Sequence, residues 1–139
     1  MVQLIVGNKG KGKTKHLLDK VNTEVKDAQG NIVYLDKSTK HMFELNNKIR
    51  LIDVSDYLVS NIDEFIGFIC GIISQDHDLQ QMYFDSFLKI ACVNENEIGA
   101  AVDKLEAIST KFHVDFVISV SIDESALPAN LKEKVIVSL

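Results

Sequence analysis

Eight residues near the start of this chain, "GNKGKGKT" at 7–14, constrain its fold more than any other feature. The apolar run Val2–Val6 precedes them. After them the apolar residues return at helical spacing, with Leu17, Leu18, Val21, Val25 and Ala28 on one stripe. The pattern predicts a short buried strand, a glycine turn and an amphipathic helix over Lys13–Ala28. Gln29-Gly30-Asn31 stops that helix, and Ile32–Leu35 follows as a second strand. Strand, glycine loop, helix and strand within thirty-five residues make one βαβ unit.

The loop carries its own chemistry. Gly7, Gly12, Lys13 and Thr14 satisfy the spacing G-x-x-x-x-G-K-T. Glycines let the backbone wrap closely round phosphate oxygens. A lysine here reaches the β- and γ-phosphates, and a threonine ligates Mg²⁺. The helix that follows turns its first amides toward the same anion. A cradle of Gly7, Asn8, Lys9, Gly10, Lys11, Gly12, Lys13, Thr14 and Lys15 is therefore expected. Lys9 and Lys11 add positive potential or face solvent.

The same "GNKGKGKT" resembles the Walker A motif of the P-loop nucleoside triphosphatases. The resemblance implies a nucleoside triphosphate with Mg²⁺, and an acidic residue ending a neighbouring apolar strand. Three aspartates end strand-like runs: Asp36 in "NIVYLD", Asp53 in "RLIDV" and Asp85 in "MYFDS". Asp85 is the preferred magnesium-side acid, because its strand precedes a clean helix and another buried strand. That order resembles the RecA-like and AAA-like group. Lys13 and Asp85 are then the catalytic pair, and Thr14 and Asp85 the metal ligands. Asp36 is the alternative acid, or a group that orients water. Ser86 stands where many such ATPases carry glutamate, which points to slow hydrolysis unless Asp36, Glu44 or a partner substitutes. Ser119 and Ser121, in "ISVSID", occupy a place similar to the polar sensor of that group.

The rest of the chain keeps alternating. Arg50–Val54 reads as a strand. Ser60 with Asp63 reads as a capping box before a helix from Ile62 to about Ser74, apolar on most sides and expected to be core before partner contact. Leu79–Phe84 reads as a strand. Asn94 with Glu97 caps a helix that presents Ile98, Ala101, Val102, Leu105 and Ile108 on one face. Val114–Val120 is a buried strand, a turn surrounds Pro128, and Val135–Val137 closes the series. The expected fold is α/β: one domain over 1–139, a three-layer α/β/α sandwich with a mostly parallel sheet of about five strands.

Composition narrows the function classes. A chain of 139 residues with 46% apolar content can bury its own core. A net charge of −5 disfavours broad nucleic-acid binding. Fourteen of the fifteen basic residues are lysine, and Arg50 is the sole arginine. Small-molecule P-loop kinases close an arginine-bearing lid, so a phosphotransferase acting alone is disfavoured. Only Arg50 could serve as a finger between subunits of a homo-oligomer. His16, His41, His77 and His113 lack metal-ligand spacing, so no structural metal is expected. Cys70 and Cys92 read as core thiols. The longest apolar stretch, "FIGFICGII" at 65–73, is too short to span a bilayer, and no leader pattern is seen, so a cytoplasmic protein is expected. ATP is favoured over GTP, since no "NKxD" base-reading signature appears. The alternatives are a nucleotide-dependent regulatory or interaction module with little turnover, and a small-molecule kinase.

Overall fold

The computed structural model describes every residue from Met1 to Leu139. Six strands form one parallel sheet: β1 (Val2–Val6), β2 (Asn31–Asp36), β3 (Ile49–Asp53), β4 (Leu79–Phe84), β5 (Asp115–Val120) and β6 (Val135–Ser138). Their order across the sheet is β3-β2-β4-β5-β1-β6. The count exceeds the expected five because β6 pairs with the free side of β1, through Leu4 with Val135 and Ile5 with Val137. Parallel pairing brings the C-terminal ends of all six strands to one edge of the sheet.

Side chains alternate across that sheet, so each strand feeds two cores. Val2, Leu4 and Val6 of β1 join Phe84, Phe116 and Ile118 on one face, beneath α2 (Ile62–Ser74) and α4 (Ile98–Phe112). Ile5, Tyr34, Tyr83 and Val117 face the other way, against Leu17, Leu18 and Val21 of α1 (Lys13–Glu24). Helices on both faces complete the three layers. Two short helices, α3 (Phe87–Ile90) and α5 (Ala129–Lys132), lie in the connections.

Several boundaries differ from the sequence reading. α1 ends at Glu24, not Ala28. Beyond it, the amides of Lys26 and Asp27 bond to carbonyls three residues back, which tightens the last turn and directs the chain into β2. The cap of α2 is Asn61, whose side chain accepts from the Glu64 amide; Ser60 instead donates to the Glu64 carboxylate. α2 is a core helix. Phe65, Ile69, Ile72 and Ile73 are buried, while Gly67 and Gly71 stand on its exposed side. Cys92 departs from expectation: it is exposed in the turn after α3, with a φ of 55°, and Cys70 is half-buried. No helix is long and apolar enough to cross a membrane.

Candidate phosphate-binding site

The loop after β1 sits at the C-terminal edge of the sheet. Gly7 is buried, and its amide donates to the Ile122 carbonyl at 3.0 Å, which ties the loop's base to the end of β5. Gly10 and Gly12 have φ of 85° and 94°, a region that side chains rarely adopt. Gly12 is the residue that turns the chain into α1. Asn8, Lys9, Lys11 and Lys15 are exposed, and Lys15 pairs with Asp19 on α1 at 3.5 Å. Lys13 is buried; its ammonium donates to the Asn8 carbonyl at 3.1 Å and so lies over the loop. Burial holds its pKa below the ordinary lysine value, against the opposing pull of Asp85.

Asp85 lies just past β4. β5 separates β4 from β1, so the acid is not on the strand next to the loop. It nonetheless reaches the start of α1 directly, and β5 between them adds a further hydroxyl partner. The Ser119 hydroxyl donates to Asp85 Oδ1 at 2.9 Å, and the Thr14 hydroxyl donates to the same oxygen at 3.2 Å. The Tyr34 hydroxyl, from β2, donates to Asp85 Oδ2 at 3.0 Å. Burial and the neighbouring carboxylate push the Tyr34 pKa up, so this phenol stays a donor. The amide of Ser86 donates to Ser119 Oγ, which closes a network around one carboxylate.

The three aspartates thus separate. Asp53 caps the turn after β3, accepting from the Ser55 amide and hydroxyl. Asp36 ends β2, is 2% exposed, and accepts the Lys37 amide through Oδ1. Its Oδ2 is buried with no hydrogen-bond partner. Burial, and then the nearby Asp85 charge, raise the Asp36 pKa above the usual carboxylate value.

A cavity of about 350 Å³ opens over this edge. Lys9, Gly10, Gly12, Lys13, Thr14, Asp85 and Ser119 line it, together with Ser86, Ser121 and Glu95. Lys37 and Lys89 line it too, and were not anticipated. Lys37 follows Asp36 at the end of β2, and Lys89 lies in α3, four residues past Asp85. The charges of Lys37 and Lys9 hold the Lys89 ammonium below the ordinary lysine pKa. Their signal was positional, a lysine shortly after Asp36 and another after Asp85, but only the parallel sheet places both strand ends beside the loop. Arg50 does not join them. It is exposed near the start of β3, an edge strand, at the opposite end from the cavity. Glu44 is exposed and accepts His41 Nδ1 at 3.3 Å, beside a second cleft that Thr14 and Lys15 also line.

The donor set suits phosphate and a hard cation. A buried ammonium and further lysines face a glycine loop, and a hydroxyl oxygen and a carboxylate oxygen converge at its rim.

The fold resembles that of the RecA-like P-loop nucleoside triphosphatases. The chain is similar to a KaiC-like protein from Pyrococcus horikoshii, with a TM-score of 0.65 and 18% identity over 95% of this chain and 67% of that one. It is also similar to the flagellar accessory protein FlaH from Methanocaldococcus jannaschii, with a TM-score of 0.57 and 12% identity over 94% of this chain and 64% of that one. The chain therefore spans about two thirds of the length of each. At the level of sequence, no family model and no curated protein matches it.

Proposed function

We propose that this protein binds ATP with Mg²⁺ at the 7–14 loop and turns it over slowly. One observation carries the reading: Lys13, Thr14, Asp85 and Ser119, from three separate elements, meet in a single lysine-lined cavity. Loop amides and Lys13 would hold the β- and γ-phosphates, while Lys9, Lys37 and Lys89 add charge around them. Thr14 Oγ1 and Asp85 Oδ1 would hold Mg²⁺, which when bound neutralises developing charge on the transferred phosphoryl oxygens. Ser119 and Tyr34 orient Asp85 for that task.

Slow turnover follows from what stands beside Asp85. Ser86 has no proton-accepting carboxylate, and its backbone amide is committed to Ser119. That same feature favours a second reading, a nucleotide-dependent interaction module in which ATP binding matters more than its cleavage. A solitary small-molecule kinase fits less well, since no arginine reaches the cavity. A cytoplasmic setting accompanies the reading, where the free thiols of Cys70 and Cys92 stay reduced.

Calorimetric titration of ATP-Mg²⁺ and GTP-Mg²⁺ into wild type and Lys13→Ala tests the proposal. ATP should bind wild type, GTP more weakly, and Lys13→Ala neither. No nucleotide binding to wild type overturns the reading. Binding with phosphate release at background selects the interaction module.

A further inference from the structure

We propose that Asp36, His41 and Asp85 form a binding site for a first-row transition-metal dication of the Zn²⁺ or Mn²⁺ type. One ligand atom from each of the three lies within 4.8 Å of the others. Two of the residues are buried strand-end carboxylates, and His41 is half-buried in the segment after β2.

The unpartnered oxygen is the second observation. Asp36 Oδ1 is occupied by the Lys37 amide, but Oδ2 is shut away from solvent and accepts nothing. A buried carboxylate oxygen without a donor is costly, and a cation is the partner that satisfies it outright. His41 and Asp85 beside it supply the rest of a coordination set. Glu44 Oε2 stands 3.3 Å from His41 Nδ1, which leaves Nε2 as the free lone pair. A carboxylate behind a histidine is the usual way a protein fixes the tautomer of a metal-binding imidazole, so Glu44 is a positioning residue here.

Ligand chemistry selects the ion. Mg²⁺ and Ca²⁺ take oxygen ligands, whereas one imidazole with two carboxylates suits Zn²⁺ and Mn²⁺. Ligand atoms around a tetrahedral ion stand about 3.4 Å apart, since each bond is about 2.1 Å. Closure from a spacing of up to 4.8 Å draws the ligands together by about 1.4 Å, and the His41 side chain, in a loop, can make that movement. His41 is open to the cleft that Thr14 and Glu44 also line, on the α1 side of the loop. Asp85 is shared with the Mg²⁺ position proposed above, but Asp36 and His41 are not, so the two sites are separable.

The test is calorimetric titration of ZnCl₂, and separately MnCl₂, into chelator-stripped, nucleotide-free protein. Wild type should bind one ion per chain. His41→Ala and Asp36→Asn should each weaken it by about tenfold or more, and Glu44→Gln by a smaller factor. The His41 imidazole resonances should shift on adding Zn²⁺ to wild type. Absence of binding, or equal binding in wild type and both ligand variants, overturns the site. Near-native circular dichroism identifies variants that remain folded, and the His41 resonances decide the matter in wild type should one not be. The outcome is independent of the nucleotide reading: failure here with intact ATP-Mg²⁺ binding removes only this site, and the converse removes only that reading.

Discussion

The Thr14 hydroxyl, in the first turn of α1, donates across 3.2 Å to Asp85 Oδ1 past the end of β4. These residues are seventy-one positions apart, and the strand between them supplies Ser119 to the same oxygen. If this oxygen pair holds Mg²⁺, Asp85→Asn should remove most of the advantage that Mg²⁺ confers on ATP binding. Lys13→Ala should lower binding with and without the metal. Titrations with ATP in Mg²⁺ and in chelator separate the two effects. Equal losses for both variants in both conditions would count against Asp85 as the metal-side acid.

Lys37, Lys89 and Lys9 crowd one wall of the cavity, and their mutual repulsion depresses the Lys89 ammonium. Repulsion among like charges is relieved when an anion arrives. Lys89→Ala should therefore leave the nucleotide-free protein as stable as wild type or slightly more so. Its affinity for ATP should fall by about tenfold, with a smaller fall for ADP. Thermal melts with and without each nucleotide read both signs at once. Binding that is unchanged, or a loss equal for ATP and ADP, would move these lysines away from the terminal phosphate.

Two glycines make opposite predictions about stability. A Cβ on Gly30 would collide with the Asp78 carbonyl oxygen, backbone that cannot step aside without shifting the start of β4. Gly30→Ala should cost about 2–4 kcal/mol in chemical denaturation. Gly67 sits exposed in the middle of α2 with nothing near its Cβ position. Gly67→Ala should stabilise by about 0.5–1 kcal/mol, the helix-propensity difference between the two residues.

The N-terminus of α2 is held by Asn61 and, reciprocally, by Glu64. Asn61→Ala should cost about 1 kcal/mol. Bonds from the Ser60 hydroxyl and amide hold the Glu64 pKa below its ordinary value. A carboxylate depressed in the folded state contributes stability above its unfolded pKa, about 4.3, and loses it as pH falls through the folded value. The gap between wild type and Ser60→Ala should thus be present at neutral pH and close on acidification. A gap that persists once Glu64 is protonated would mean the serine acts through something else.

Much of this architecture was legible because its signals are local. The apolar run of Val2–Val6, the glycine spacing and the stripe from Leu17 to Val21 lie within twenty residues and need no tertiary information. The same holds for Asn94 and Glu97, whose capping box opens the 3₁₀ turn Glu95–Glu97 that leads into α4. What misled was also local. Ser60 looks like a cap by residue type, but Asn61 one position later has the extended backbone that a cap requires. Cys92 sits among apolar neighbours in sequence, yet a left-handed turn carries it to the surface.

The sequence by itself determined the class of fold and the glycine loop, since both rest on periodicity and on the steric freedom of glycine. Only the tertiary structure decided which groups meet that loop. Asp36, Asp53 and Asp85 are equivalent as strand-end acids in a linear chain. Strand order distinguishes them, because β5 stands between β4 and β1 and offers Ser119 to one carboxylate alone. The sheet likewise gathers Lys37 and Lys89 to one cavity and leaves Arg50 at the far end of an edge strand. Hydrogen bonds and charge act over a few ångströms, and no spacing along the chain states which residues will come that close.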